Sequence, residues 1–149
     1  MNTIVVGVDQ SDGAKAALRF ALEEARLHGA TLRAVHAWQP AYLGAPGIDG
    51  PFSYAGDELE ALRRAAETAL DTALQEVAAD TGGVTVERRL VEGAPAAVLV
   101  EESRDADLLV VGSRGLGGFA KLLLGSVSQQ CAHHAECPVV IVRAKPETT

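Results

Sequence analysis

The sequence predicts an α/β fold in which one open parallel sheet of five strands is covered by helices on both faces. Short runs rich in Val, Ile and Leu are typical of strands buried on both faces. Longer segments between these runs carry apolar residues at helical spacing. The chain has 149 residues, an ordinary size for one domain. Since no internal repeat or linker interrupts it, we predict a single domain over residues 1–149.

The strands are expected where apolar and β-branched residues follow one another between turn-forming residues. The run LLVV before Gly112 is continuous, whereas the third run alternates between apolar and polar residues. The five predicted strands are Thr3–Val8, Thr31–Ala37, Val84–Val91, Asp107–Val111 and Pro138–Val142.

The helices are expected between the strands, and several carry start or stop signals. Ser11 can cap the first helix, with Asp12 in its first turn. Gly29 can end that helix, and Pro95 suits the first turn of another. The predicted helices run from Ser11 to His28, over Asp57–Ala79, over Pro95–Ser103, and from Gly125-Ser126 to a point before Pro138.

Composition excludes several classes of partner. Twenty acidic residues against thirteen basic ones give a formal net charge of −7. This field repels nucleic acid and anionic lipid, and no cluster of Lys and Arg offsets it, so neither is expected to bind. The start, MNTIVVGVD, has no basic region typical of a signal peptide. No apolar run reaches the roughly 18 residues of a membrane span, and we expect a cytoplasmic protein.

The two cysteines are Cys131 and Cys137, whose spacing matches no zinc pattern. In a reducing compartment free thiols are favoured, and a redox pair is the less favoured alternative. The sequence therefore indicates no metal site built from cysteines.

Three features fall at the carboxyl ends of predicted strands, where open α/β sheets bind ligands. Asp9 follows the first strand, and Gly112 opens a glycine turn after the fourth. The loop Gln39–Ala55 leaves the second strand, and its length favours either a functional or a disordered segment. Its aromatic residues could close over a site as a lid, or the loop could be a surface excursion; the residues in question are Tyr42, Phe52 and Tyr54.

The segment VVGSRGLGGFAKLLLGSVSQQ carries the strongest chemical signal. Gly112 and Gly115 allow the backbone to turn sharply and to bring its N–H groups close to a phosphate. Gly125 and Ser126 open a helix whose amide groups suit an anion, and Arg114 could add a charge-assisted contact. The alternative is that the glycines form a tight surface loop and that Ser126 is an ordinary N-cap.

The spacing resembles that of the universal stress proteins, specifically the branch that binds ATP. The branch pattern is Gly, two residues, Gly, nine residues, then Gly-Ser or Gly-Thr. Here it is Gly112 and Gly115, then Leu116 through Leu124, then Gly125-Ser126. The start IVVGVDQSDGAKAAL and the end CPVVIVR are also similar to the family's first and last strands, so the resemblance covers essentially the whole chain.

The resemblance implies the adenine nucleotide alpha hydrolase-like fold, with strand order 3-2-1-4-5 and the nucleotide between strands one and four. Asp9 is then expected near the ribose or a phosphate-bound cation such as Mg²⁺, with an N-cap role as the alternative. Val35 is expected to face the adenine through its backbone. The full set of expected nucleotide-binding residues is Gly7, Asp9, Val35, Gly112, Ser113, Arg114, Gly115, Leu116, Gly117, Gly118, Gly125, Ser126, Val127 and Ser128.

The resemblance also implies a homodimer that pairs through the last strand, Pro138–Val142, and leaves room for an unidentified protein partner. We expect nucleotide binding with at most slow hydrolysis, because phosphoryl transfer needs a positioned nucleophile and a group that orients it. His36 follows near the end of the second strand, where a lone histidine is more often a packed or solvent-facing side chain than a base, and no catalytic residue is assigned. The alternative is a slow ATPase or a phosphotransferase that modifies its own Ser126 or Ser128.

Overall fold

The computed structural model describes residues 1–40, 56–114 and 124–144, which contain five β-strands and four α-helices. In chain order the elements are β1 Thr3–Gly7, α1 Asp12–His28, β2 Thr31–Trp38, α2 Gly56–Glu76, a 3₁₀ turn at Ala78–Asp80, β3 Val86–Glu92, α3 Pro95–Glu102, β4 Leu108–Gly112, α4 Ser126–His134 and β5 Val139–Val142.

All five strands are parallel and lie in the order β3-β2-β1-β4-β5, which confirms the predicted sheet. β1 lies at the centre, where Ile4 is level with Leu32 of β2 and with Leu108 of β4. Beyond β1 the order runs to β2 in one direction and to β4 in the other. This reversal creates the switch point at which ligands bind in such sheets.

Helices cover both faces of the sheet, as predicted. On one face Ile4 and Val6 pack with α1 and with Leu70 of α2. On the other face Val5 packs with Leu99 of α3 and Cys131 of α4. Because adjacent residues of β1 are buried on opposite faces, the strand has no polar side. This double burial explains why its sequence is a continuous apolar run.

The ends of α1 follow the sequence signals. Ser11 is the N-cap, and its Oγ accepts a hydrogen bond from the Ala14 N–H at 3.1 Å. Gly29 ends the helix in the left-handed conformation, with φ 62°, and its N–H bonds the carbonyls of Ala25 and Arg26. Both predictions for this helix are confirmed.

Most other element boundaries differ from the predictions by one to three residues. β3 begins at Val86 because its ladder starts opposite Leu32, and it extends to Glu92 opposite Trp38. α2 ends at Glu76, and the 3₁₀ turn follows. Pro138 lies outside β5 because it has no N–H to donate, although its carbonyl accepts the Leu109 N–H at 3.0 Å.

Charged side chains link the elements near the amino ends of the strands. Arg33 of β2 bonds the Glu87 carboxylate at 3.0 Å, the Asp105 carboxylate at 3.0 Å and the Glu102 carbonyl at 2.8 Å. The bond to Asp105 is the largest cause that raises the pKa of Arg33. This guanidinium joins β2 and β3 to the connection between α3 and β4.

Asp107 links the segment before β4 to the start of β1. Its Oδ2 accepts the backbone N–H groups of Asn2 at 2.6 Å and Thr3 at 3.0 Å. These bonds hold the pKa of the Asp107 carboxyl below its ordinary value, the bond from Thr3 contributing most. No helix in the described ranges is long and apolar enough to cross a bilayer.

Candidate functional site

The candidate site lies at the carboxyl ends of β1 and β4, the central pair of strands. β1 ends at Gly7 and β4 at Gly112. Asp9 follows the first strand, and Ser113 and Arg114 follow the second. The topology therefore brings together the Asp9 and Gly112 segments that the sequence placed at this edge.

The end of β4 lies directly against the first turn of α1. A Cβ atom built on Gly112 would lie 2.6 Å from the carbonyl carbon of Gly13 and 2.9 Å from the Ala14 nitrogen. A Cβ built on Gly13 would in turn lie 2.8 Å from the Arg114 carbonyl oxygen. These are backbone-to-backbone contacts, so neither position has room for a side chain. Gly112 is thus required by the packing of α1 in addition to any approach of a ligand.

Ser113 joins β4 to two other elements through its backbone. Its N–H donates to the Val142 carbonyl of β5 at 2.8 Å. Its carbonyl accepts the Gly125 N–H at 2.6 Å and the Ser128 hydroxyl at 2.9 Å. The glycine turn and the start of α4 are therefore held together, although residues 113 and 125 are far apart in the sequence.

The start of α4 has the character of an anion-binding helix end. Gly125 is its N-cap, is buried, and provides no side-chain cap. Ser126 is the first helical residue and is exposed, while Val127 is half-buried. The alternative in which Ser126 is the N-cap is wrong, because Gly125 occupies that position. The first-turn amide groups and the positive end of the helix dipole are not covered by a capping side chain.

The start of α1 is different, because side chains already satisfy it. Ser11 caps the helix, and Asp9 supports the cap by accepting the Ser11 N–H at 2.7 Å and the Ser11 hydroxyl. Both bonds to Asp9 use the same oxygen, Oδ1. Asp9 is therefore not itself the N-cap, but it holds the N-cap in place. Of these two helix ends at the switch point, α4 is the one suited to an anion.

Gly7 and Val35 have structural roles in addition to those expected for them. A Cβ on Gly7 would lie 2.9 Å from Leu99 Cδ1, so the absence of a side chain here leaves room for Leu99 of α3 to pack against β1. Val35 is 1% exposed, and its carbonyl accepts the Val8 N–H at 2.8 Å. The Val35 carbonyl thus already accepts a hydrogen bond from the neighbouring chain segment. The expected contact of the Val35 backbone with adenine stays a prediction.

Of the described histidines, His36 lies beside the carboxyl end of β1. His36 is half-buried, and its Nδ1 donates to the Val8 carbonyl at 2.8 Å. Cys131 and Cys137 are free thiols, and burial raises the pKa of Cys131 to about 11. Among residues 1–40, 56–114 and 124–144, no group of three His, Cys, Asp or Glu side chains could hold a metal ion.

Part of the expected site lies outside the described residues. This applies to Gly115, Leu116, Gly117 and Gly118, and to the loop that was interpreted as a lid, from residue 41 onward. The described portion of the expected site is formed by Gly7, Asp9, Val35, Gly112, Ser113, Arg114, Gly125, Ser126, Val127 and Ser128.

Two residues that shape this edge were missed as site residues by the sequence reasoning, namely Ser11 and Gly13. Ser11 was predicted only as a helix cap, whereas it also binds Asp9. Gly13 lies within a helix, where glycine is unfavourable by about 1 kcal/mol relative to alanine. That unfavourable choice is a signal of close backbone approach, and it could have indicated the contact with Gly112.

Comparison with known proteins identifies relatives along almost the whole chain. The model of the universal stress protein family matches residues 1–143. A universal stress protein of Thermus aquaticus is 40% identical over 145 residues, which cover 95% of this chain and 98% of that protein. One from Mycolicibacterium smegmatis is 38% identical over 143 residues, covering 93% of this chain and 47% of that protein. The chain thus spans about half the length of the mycobacterial relatives it matches.

Solved structures show the same fold. A universal stress protein in complex with cAMP is 32% identical, with a TM-score of 0.61 over 97% of this chain and 98% of that chain. A universal stress protein from Archaeoglobus fulgidus in complex with dAMP is 26% identical, with a TM-score of 0.67 over 95% of this chain and 98% of that chain.

Proposed function

This chain belongs to the universal stress protein family, and we propose that it acts as an ATP-binding regulatory module of a stress response. In this proposal ATP occupies the switch point between β1 and β4 and changes a dimer or an exposed surface that a partner reads. The cytoplasm is the compartment we propose, which suits two free thiols.

One observation carries the proposal. The Gly112–Arg114 turn and the uncapped start of α4 are joined by the bond from Gly125 N–H to the Ser113 carbonyl. Backbone N–H groups at a helix start bind phosphate well because they combine hydrogen bonds with the helix dipole. This arrangement compensates for the overall charge of −7, which would otherwise repel a polyanion.

The bound nucleotides of related structures support an adenine nucleotide as the ligand. Relatives of 32% and 26% identity hold cAMP and dAMP. The glycine spacing from Gly112 to Ser126 resembles that of the ATP-binding branch of the family, and this resemblance is the ground for proposing ATP among the adenine nucleotides. A Mg²⁺ ion that arrived with ATP would take most of its ligands from phosphate oxygens and water. Asp9 is the carboxylate at this edge suited to supply a protein oxygen.

Binding without fast chemistry fits the described side chains best. His36 donates its Nδ1 proton to a backbone carbonyl, and the Ser128 hydroxyl is buried and hydrogen-bonded to two carbonyls. Autophosphorylation at Ser128 is therefore disfavoured, while Ser126 is exposed. Turnover at roughly 10 per second, typical of enzymes, would contradict this part of the proposal.

We further propose that the protein forms a homodimer through β5. This strand pairs with β4, and its residues Val139–Val142 are all half-buried. At the opposite edge β3 exposes three consecutive charged side chains, Glu87, Arg88 and Arg89. Charged residues discourage pairing at a sheet edge, whereas an apolar edge favours it.

A direct experiment tests the nucleotide proposal. The purified protein is denatured, released nucleotide is identified by mass spectrometry, and the refolded or stripped protein is titrated calorimetrically with ATP, ADP, AMP and cAMP. We expect an adenine nucleotide to be released and ATP to bind most tightly. If no adenine nucleotide is released and none of the four added nucleotides binds, the proposal is wrong.

The variant Ser126→Asp tests the role of the α4 start. An aspartate there complements the helix dipole but repels the phosphates, so we expect ATP affinity to fall by about tenfold or more while the helix stays stable. Gln130→Glu is the matched control, because it adds the same charge to an exposed position one turn along α4. Equal affinities for ATP in the two variants would exclude phosphate binding at this helix end.

A further inference from the structure

Among the described residues around the candidate site, Ser128 has the most buried polar side chain. It is 1% exposed, and its hydroxyl donates to the Ser113 carbonyl at 2.9 Å and to the Gly125 carbonyl at 2.9 Å. The bond to Gly125 stays within the first turn of α4, whereas the bond to Ser113 crosses to the end of β4. The single hydroxyl proton is thus shared between the two carbonyls.

The Ser113 carbonyl is the point at which two bonds from α4 converge. The Gly125 N–H reaches it at 2.6 Å and the Ser128 hydroxyl at 2.9 Å. The Ser113 N–H is in turn fixed by the Val142 carbonyl. Ser113 is therefore held in its position by α4 on one side and by β5 on the other.

We propose that Ser128 is a positioning residue of the nucleotide site rather than a phosphate ligand. This inference rests on the proposed function. The hydroxyl sets the distance between the Gly112–Arg114 turn and the amide groups at the start of α4. It replaces the expectation from the sequence that Ser128 contacts the triphosphate directly.

The distance between these two segments matters because both are proposed to bind one ligand. Hydrogen bonds weaken steeply when their length and angle depart from the preferred range. If α4 shifts away from Ser113, its amide groups leave the phosphates that the turn still holds. A preorganised arrangement of donors binds more tightly than one that must be assembled.

The test compares Ser128→Ala with the matched control Ser103→Ala. Ser103 is 0% exposed and donates to the Val100 carbonyl three residues earlier at 3.2 Å, but it lies at the end of α3, beside the amino edge of the sheet. Each change removes one buried hydroxyl, so both are expected to lower the melting temperature. Only Ser128→Ala is expected to weaken ATP binding, by about tenfold, the effect of losing one hydrogen bond.

A second readout separates positioning from contact. Amide hydrogen exchange is measured by NMR in the nucleotide-free proteins, at a temperature where all variants are folded. If Ser128 positions α4, the Gly125 amide of Ser128→Ala should exchange faster than that of the wild type before any ligand is added. If Ser128 instead contacts the phosphate directly, this exchange rate should not change. Ser128→Thr keeps a hydroxyl that can bond backward along a helix, and it should restore both the exchange rate and the ATP affinity.

The outcomes are distinct. Wild-type affinity in Ser128→Ala, or weaker binding with an unchanged Gly125 exchange rate, would overturn this inference alone. A wild-type protein that binds no adenine nucleotide would refute the proposed function and this inference with it. If Ser128→Ala does not fold, Ser128→Cys, whose side chain has the same shape and is slightly larger but is a weak donor, must show reduced ATP affinity and faster Gly125 exchange for the inference to stand.

Discussion

At the scale of single residues, Asp107 makes the stability of the fold depend on pH. Its carboxylate accepts two backbone N–H groups, and they hold its pKa below the ordinary value. A group whose folded pKa is lowered contributes stability above its unfolded pKa, about 3.9 for Asp. That contribution is lost as the pH falls through the lower folded value.

We therefore expect Asp107→Asn to melt at a lower temperature than the wild type at pH 7. The difference should shrink as the pH falls below about 4, because the wild-type carboxyl is then protonated as well. Thermal unfolding monitored by circular dichroism between pH 7 and pH 2 measures this. Glu92→Gln, at an exposed position at the end of β3, serves as the control. A constant gap across the pH range would show that Asp107 acts through packing instead.

Residue-level prediction from the sequence succeeded where the cause is local. Ser11 was identified as a cap because a cap depends on a few neighbouring residues. The role of Gly13 was not identified, because it depends on Gly112, which lies about two thirds of the chain length away in the sequence. Ser128 shows the same limit: its hydroxyl predicted a polar contact, and the partner became visible only when β4 and α4 came together.

At the scale of elements, the close packing of α1 on the end of β4 gives a clear prediction. Gly112→Ala would place a Cβ 2.6 Å from the Gly13 backbone, which the backbone must move to avoid. We expect a loss of about 1–3 kcal/mol in the free energy of unfolding, the usual cost of overpacking. Urea unfolding measures this loss, and calorimetry with ATP should show weaker binding, because the turn moves as well.

Gly56→Ala is the matched control for this change. Gly56 is the first residue of α2, and a Cβ built there meets nothing within 4 Å. The substitution should leave stability unchanged or raise it slightly, because alanine favours a helix. If both variants unfolded at the same urea concentration, the contact between α1 and β4 would not be tight.

The central strands were predictable because a strand that is buried on both faces has a continuous run of apolar residues. The run before Gly112 was identified as a strand, and β4 occupies Leu108–Gly112. Boundaries were less accurate where a partner decides them. β3 starts at Val86 because of its register with β2, which no local pattern in the sequence of β3 encodes.

At the scale of the whole molecule, the two edges of the sheet predict the mode of assembly. Ile141 of β5 and Val91 of β3 are half-buried on the same face of the sheet, at opposite edges. Ile141→Lys should convert the proposed dimer to a monomer, because a charge at an edge strand opposes pairing. Val91→Lys carries the same charge and a similar burial cost, and it should leave the dimer intact. Size-exclusion chromatography with light scattering distinguishes these outcomes.

A wild-type protein that is monomeric at all concentrations would refute the dimer. Dissociation in both variants would indicate general destabilisation rather than an interface at β5. The strand order was expected from resemblance to a family and is confirmed, whereas the pairing through β5 that the same resemblance implies stays a prediction. The choice between the two edges depends on the side chains of β3 and β5, which are separated by about a third of the chain.

The hydrogen bonds that Asn2 and Thr3 donate to Asp107 also have a consequence during synthesis of the chain. Asn2 and Asp107 are 105 residues apart, which the ribosome covers in roughly 5 to 20 s. β1 can pair with β2 during this interval, but its other side has no partner until β4 emerges. The nascent chain is therefore expected to expose one apolar strand edge for seconds, the kind of surface that chaperones protect from aggregation.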